Sequence, residues 1–525
     1  MKLNKEVFFK VIIPYFFYFL IIISVFYFRY QLDKENLYIT SDGAIKLYQT
    51  VQYKEKGFLS LECIYPGKEF DTEFKHFPIS YPWAIFQAKE NKCVLEYPPF
   101  FYWLGSILLF FLPLKLILYL PLLFYAANFF IFDLILQKIG IIPIYRTILT
   151  IISLASFPLL TAMDYTENPA FQTFYLLGFY LFLNLYNEKT FNLKKFLLTG
   201  ILFGIAFALR LEILLTFSFL CLMFFILTRN LTKPFVVYVG FSFIAALFVV
   251  YNIYVSGHPL GFRYVSSIDF NDNAKADIWQ RITFLKATIW GNEVMVGIFN
   301  FQPLCWLMLL IPPWLVIKKE INQIGNIFLS AGWISIILIP LYITVYGGVG
   351  YFGLRYIESA FFLILIGFSV YLGGNYFSKN KKMKIIIVIL LILSGYGNWK
   401  ATKEGLKILK NSSIENAKFQ SFIEQSDRFI IHSSLYSTIW MGKSFLEKTH
   451  VNLTGNEETV EYIKNIPMSE KFVFILSPED IYISADIPKK MHTRYKTQIN
   501  PASLPISIVG ELKINGIRLV LANRK

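Results

Sequence analysis

Charge is the scarcest property of this chain. Lys, Arg, Asp and Glu make up 16% of 525 residues, while 55% are hydrophobic and 54 are Phe. A soluble protein of this length cannot hide that much apolar side chain in one core, whereas lipid solvates it. A soluble globular fold is therefore excluded. Acids are scarcer still, 35 against 50 Lys and Arg, for a net charge of +15. The basic residues stand in short clusters between apolar runs, the pattern of loops held on the cytoplasmic side of a membrane. Nucleic acid is accordingly not an expected partner. Cysteine is limited to four residues. Cys221 and Cys305 lie in or beside apolar runs as packing residues. Cys63 and Cys93 share one polar stretch, where a disulfide is open to them. No zinc-ligand, P-loop or Rossmann spacing occurs, so no metal or cofactor is assigned and a need for a divalent metal stays open.

What is present is a series of uncharged runs such as Val11 to Phe28 and Phe235 to Tyr251. Their lengths approach the thickness of a bilayer. The first is long and lacks a small-residue cleavage site after it, so it reads as a retained helix. The clusters Lys2/Lys5, Lys138/Arg146, Lys189/Lys194/Lys195, Arg229/Lys233, Lys318/Lys319 and Lys379/Lys381/Lys382/Lys384 then fix a topology. If all are cytoplasmic, an even number of crossings separates each from the next. Crossings are expected at 10–28, 117–137, 147–163, 168–186, a hairpin with Arg210 and Glu212 at its tip, 234–254, 303–317, 325–346, 355–374 and 384–399, about eleven in all. Residues 99–116 open with Pro98-Pro99, are aromatic, and contain Pro113 and Lys115. They read as a helix lying in the interface, where aromatic rings prefer to sit.

The expected fold is a polytopic α-helical membrane protein with a small C-terminal extracytoplasmic α/β domain. Residues 1–399 form the membrane domain, with outer loops at 29–98 and 255–302, and residues 400–525 form the second domain. In the latter, Phe429–His432, Lys471–Leu476 and Ile517–Leu521 read as strands and Glu458–Ile463 as a helix.

This topology gathers Asp42, Glu96, Asp164, Glu167, Arg210, Glu212, His258, Arg263, Arg355 and Glu358 on the outer side. Charges at a membrane boundary are costly unless they pair or serve a site. Asp42 opens a helix in which Ala44, Leu47, Tyr48 and Val51 recur at helical spacing, ending near Gly57. It is either a plain N-cap or a general base toward a hydroxyl. Arg210 and Arg355 either snorkel or grip phosphate with their guanidinium forks. Asp164 and Glu167 are a metal pair, an acceptor clamp, or a solvated turn before Pro169. His258, in a Ser-Gly-His-Pro turn, reads as structural.

Taken in order, these residues resemble the polyprenyl-phosphate-sugar-dependent glycosyltransferases of the GT-C fold, which include the protein O-mannosyltransferases and the lipid A aminoarabinose transferase. Asp42 opening a helix just after the first crossing is similar to that family's catalytic acid. Pro98-Pro99-Phe100-Phe101-Tyr102-Trp103-Leu104 resembles its juxtamembrane helix. Gly200 to Arg210 resembles its glycine-spaced helix ending in a base. Asn252 to Gly261 resembles an Asn, then Gly-x-Pro, element, and Gly347 to Tyr356 its Gly-Gly…Phe-Gly-x-Arg-Tyr element. The chain departs from the family at Gly43 in place of a second acid, Glu96-Tyr97 in place of a Lys, Leu211 in place of a Pro, and Glu358 near where a Pro would follow Arg355-Tyr356.

The resemblance implies an inverting transferase at the outer face of the membrane, and the retained first helix and lysine-rich loops point to a bacterial inner membrane with the N-terminus cytoplasmic and the C-terminal domain periplasmic. Asp42 would be catalytic, and Glu96, Tyr97, Tyr102, Asp164, Glu167, Arg210, His258, Arg355 and Tyr356 would bind substrate. Its partners would be a polyprenyl-phosphate-linked sugar, an acceptor lipid, glycan or protein, and membrane lipid. The alternatives are a lipid or saccharide flippase, which predicts polar residues midway along helices, and a non-catalytic anchor for residues 400–525.

Overall fold

The computed structural model describes residues 12–32, 41–78, 85–88, 92–95, 97–187, 191–261, 278–293, 295–310, 323–342, 353–373, 381–433, 443–477, 499–514 and 516–525. Glu96 and Arg263 lie outside them, as do residues 347–352 of the glycine-rich element and the side chain of Asp42.

Five helical tracts among the described residues are long and apolar enough to cross a membrane. They are Ile13–Leu32, Leu114–Ile139, Thr232–Ser256, Gln323–Leu341 and Lys381–Ile423. Pro143–Leu154, Ile213–Thr228 and Glu358–Gly373 are apolar but shorter, and Asn168–Asn187 and Leu193–Leu209 complete the helical series. The chain is therefore a helical protein with candidate membrane spans and a C-terminal sheet. The expected span at 147–163 is broken: Pro143–Leu154 ends at Ala155, and Phe157–Ala162 begins a separate short helix. Pro158 is the cause, since it has no N–H and its ring crowds the carbonyl four residues back. The carbonyl of Ile152, near the break, accepts from Gln302 Nε2 (2.7 Å) and Asn398 Nδ2 (2.7 Å). Side chains thus satisfy backbone that lipid could not.

The expected interfacial helix is also shorter than 99–116. It spans Phe100–Leu108, and Pro113 separates it from the apolar tract that follows. Inside the expected loop 255–302 stands a helix, Ile278–Trp290. Nor does helix end at residue 399: Lys381–Ile423 is continuous over 43 residues, about 65 Å at 1.5 Å per residue.

The chain divides into two compact units. The first comprises Met1–Arg29, Tyr119–Phe248 and Ala276–Ile408, and the second Tyr30–Leu118, Val249–Lys275 and Leu409–Lys525. Within the first, helices meet at small residues. A Cβ added to Gly200 or Gly240 would run into the backbone carbonyl of Val237 or Leu197. Leu193–Leu209 and Thr232–Ser256 therefore touch backbone to backbone, and the glycine spacing seen in the sequence is a packing device. A buried polar pin joins three further helices: Tyr18 Oη donates to Asp133 (2.7 Å), and Asp133 pairs with Arg146 (2.8 Å).

The second unit combines the polar stretch after the first helix with the C-terminal sheet. In the stretch, the Ser41–Lys56 helix ends at Gly57, whose φ of +91° suits glycine. Strands β1 (Ile85–Ala88) and β2 (Lys92–Leu95) pair antiparallel. Cys63 and Cys93 form the disulfide that the sequence had left open, with Cα atoms 5.2 Å apart.

The C-terminal strands are β3 (Phe429–His432), β4 (Thr449–Asn452), β5 (Lys471–Leu476), β6 (Ile506–Ile514) and β7 (Ile517–Arg524), in the order β4-β3-β5-β7-β6. β3 runs parallel to β4 and β5, while β7 is antiparallel to β5 and β6. Phe419, Phe422 and Ile423 cover one face and the Asn456–Ile463 helix the other. The polar stretch docks on this domain through Phe70 on Phe429 (4.9 Å), Tyr48 on Phe445 (5.2 Å), and the His76 carbonyl, which accepts from Asn452 N–H (2.8 Å).

Candidate active site

In the second unit the site is built on the Ser41–Lys56 helix. Its apolar spacing predicts one buried and one wet face, yet polar positions are covered as well. Lys46 is 2% exposed, and Gln49, Thr50 and Gln52 are fully buried. Burying this many polar side chains on one helix is costly without partners. Lys46 Nζ lies 4.6 Å from the centre of the Tyr97 ring. Gln49 Nε2 donates to the Tyr97 carbonyl (2.9 Å) and the Tyr53 hydroxyl (3.1 Å). Burial pushes the Tyr53 hydroxyl up to about 12, hydrogen bonds from Tyr251 and Gln49 working against it. It is therefore a neutral group at ordinary pH.

Pro98-Pro99 set the start of the Phe100–Leu108 helix, which fixes Tyr102, fully buried, 6.3 Å from Tyr97. His258 keeps a turn: its Nδ1 accepts from Leu260 N–H (3.2 Å). Asn252 closes the same turn by donating to the Pro259 carbonyl (3.1 Å), and Gly261 beside it has φ +80°. The Asn, Gly-x-Pro element is thus turn chemistry.

In the first unit, Arg210 terminates the Leu193–Leu209 helix in extended conformation (φ −145°, ψ 112°). Its guanidinium then meets two acids. Nε donates to Glu212 (2.7 Å) and Nη1 to Glu167 (3.2 Å), with all three side chains buried. The Tyr356 ring lies under Arg210 (5.2 Å) and under Arg355 (5.5 Å), the latter in a tight turn over Gly353–Tyr356. Glu358 opens the next helix, fully buried. Gln172 is a close neutral neighbour, and Arg210 and Glu212 lie within electrostatic reach. Asp164 is buried nearby in sequence.

The sequence-predicted residues thus fall into two groups. Glu167, Arg210, Arg355 and Tyr356 are brought together in one unit, while Tyr97 and Tyr102 stand with the Ser41–Lys56 helix in the other. Arg210 spends its donors on carboxylates, so its first task is to hold Glu167 and Glu212. Arg355 is partly buried. Among the described residues no three His, Cys, Asp or Glu side chains are grouped to hold a metal ion. Sequence reasoning missed Lys46, Gln49 and Gln52. Their signal is spacing, since Gln49 follows Asp42 by two helical turns.

No family model matches the chain, and no curated protein matches it. Solved structures of two other proteins are similar to it. ArnT from Cupriavidus metallidurans in the apo state is 11% identical, over 88% of this chain and 94% of that one, with a TM-score of 0.46. The same protein bound to undecaprenyl phosphate is 10% identical, over 96% and 97%, at 0.48. The Archaeoglobus fulgidus oligosaccharyltransferase in its apo form is 10% identical, over 78% and 64%, at 0.42. These scores describe partial likeness, and no residue role follows from them.

Proposed function

We propose that the chain is an integral membrane glycosyltransferase that moves a sugar from a polyprenyl-phosphate donor to an acceptor hydroxyl, with inversion at the sugar. One observation carries the reading. A helix opening at Ser41-Asp42 directly follows the first apolar helix and shares a compact unit with a short aromatic helix begun by Pro98-Pro99. That is the element order the GT-C resemblance requires.

In this reading Asp42 takes the proton of the acceptor hydroxyl as it attacks the anomeric carbon. The bond from that carbon to the lipid phosphate breaks, and the phosphate leaves with the electron pair. The GT-C resemblance gives Arg355 the task of stabilising the charge that grows there. Arg210 positions Glu167 and Glu212 over the Tyr356 ring. Tyr97 and Tyr102 orient the Ser41–Lys56 helix. The Cys63–Cys93 disulfide supports an oxidising, extracytoplasmic setting for the second unit. That setting, with the basic clusters inside, fits about eleven crossings of a bacterial inner membrane and a cytoplasmic N-terminus.

The experiment is a donor screen. Full-length protein in lipid nanodiscs is given a panel of polyprenyl-phosphate sugars, and free lipid phosphate is measured. Release from at least one donor is expected. No release from any donor, with and without added acceptor glycans, lipids and peptides, removes the transferase reading.

A further inference from the structure

The Ser41–Lys56 helix carries carboxamides for which the described protein offers no complete set of partners. Gln52 is fully buried, and both its oxygen and its nitrogen lack a hydrogen bond. Gln49 is equally buried, and its oxygen lacks one too. A buried amide group left unpaired costs about 1–3 kcal/mol, so two on successive turns mark a place made for something other than protein.

Aromatic rings stand beside them. Gln49 reaches Tyr53, and the Tyr53 and Tyr251 hydroxyls touch (3.1 Å). Both rings pack on Trp103, at 6.2 and 5.0 Å, and the indole N–H of Trp103 is itself enclosed without an acceptor. The Lys46 ammonium lies over the Tyr97 ring, and no carboxylate or guanidinium enters these contacts among the described residues.

Neutral carboxamides, each both donor and acceptor, beside aromatic faces match one ligand chemistry. A sugar ring presents vicinal hydroxyls that both give and accept hydrogen bonds, and C–H faces that lie on aromatic rings. A phosphate would call for cations directed at it, whereas Lys46 lies over the Tyr97 ring, and an acyl chain would leave the amides unmet. We propose that Gln49, Gln52 and Trp103 form a binding subsite for a neutral sugar ring. The ring belongs either to the donor or to a glycan acceptor. The assignment of that ring to a transfer reaction rests on the function proposed above, whereas the binding itself does not.

The test uses the full chain in nanodiscs, with methyl α- and β-glycosides of common hexoses and N-acetylhexosamines as probes, followed by saturation-transfer NMR and thermal unfolding. The expected result is saturation of the ring protons of at least one glycoside, with affinity about tenfold weaker in Gln52→Leu and in Trp103→Leu. Gln52→Leu should also melt no lower than wild type, because it removes unpaired groups rather than bonds. Three results overturn the proposal: no glycoside binds, Gln52→Leu binds as wild type does, or Gln52→Leu unfolds, which would mean that protein groups already hold that side chain. Turnover separates this from the transferase reading. Glycoside binding with no lipid-phosphate release keeps the subsite and removes the reaction. Turnover in which Gln52→Leu matches wild type removes the subsite and keeps the reaction. Where both stand, a KM raised for donor or for acceptor says which substrate carries the ring.

Discussion

Two polar clusters of this protein sit in comparable burial and are treated in opposite ways. Around Arg210 the charges answer one another, with Glu167 and Glu212 on one guanidinium and the Tyr356 ring beneath it. Around Gln49 and Gln52 the groups are neutral, and part of their hydrogen-bonding capacity is shut away from water unused. A paired cluster holds a fold together. An unpaired one weakens the fold and persists where something else fills it. Glu358, fully buried, has neighbours of both kinds: Gln172 is its neutral neighbour, and Arg210 and Glu212 lie within electrostatic reach.

The contrast is broken most forcefully at Arg210. Arg210→Met leaves two buried carboxylates facing each other and should cost about 3–5 kcal/mol. Thermal unfolding in detergent checks this. Adding Glu167→Leu and Glu212→Leu to it should restore much of the loss, because replacing the whole ion cluster with apolar groups is far milder than removing one member.

The next effect belongs to the second unit. Replacing Cys63 and Cys93 with Ser opens the cross-link between residues 30 apart in sequence, at an expected cost of about 2–4 kcal/mol. Unfolding curves with and without reductant should converge for the variant and differ for wild type.

A smaller effect is set by pH. In the sheet domain His450 bonds to His432 (2.8 Å) and Ser444 (3.0 Å), wholly buried. Burial first, and then His432, hold its pKa well below the ordinary imidazole value. The unfolded chain therefore takes up a proton that the folded one refuses. Stability contributed at this site is complete above about pH 6.5 and falls on acidification by at most about 1.4 kcal/mol per pH unit. In His450→Gln that slope should flatten.

The smallest effect has the opposite sign. Gln52→Leu should leave stability unchanged or raise it by up to about 1 kcal/mol, measured as a melting temperature without ligand. A loss of several kcal/mol would place Gln52 with the paired cluster.

Much of this was legible in the sequence, for physical reasons. Apolar runs mark helices because lipid demands internal hydrogen bonding, and Phe429–His432 and Lys471–Leu476 read as strands from their apolar, β-branched and aromatic composition. Gly57 marked the end of its helix through the positive φ that glycine tolerates. What escaped depends on distant partners. Strand β4, Thr-His-Val-Asn, carries no strong pattern and is held by β3 and by His76 from far along the chain. The break at Ala155 needs Gln302 and Asn398 to satisfy a carbonyl, which no local window contains. Glycine spacing at Gly200 and Gly204 suggested a motif, whereas the structure gives it a packing cause. The pairing of Arg210 with Glu167 was likewise hidden, because the two are 43 residues apart in sequence.

The measurement that bears most directly on the whole account is turnover of the donor found by screening, compared between wild type and Asp42→Asn in nanodiscs. Asn keeps the shape and the capping ability of Asp but takes up no proton. The account predicts that Asp42→Asn melts within a degree or two of wild type and loses about 10²–10⁴-fold in rate. Equal rates in the two proteins would contradict it, reducing Asp42 to a helix cap.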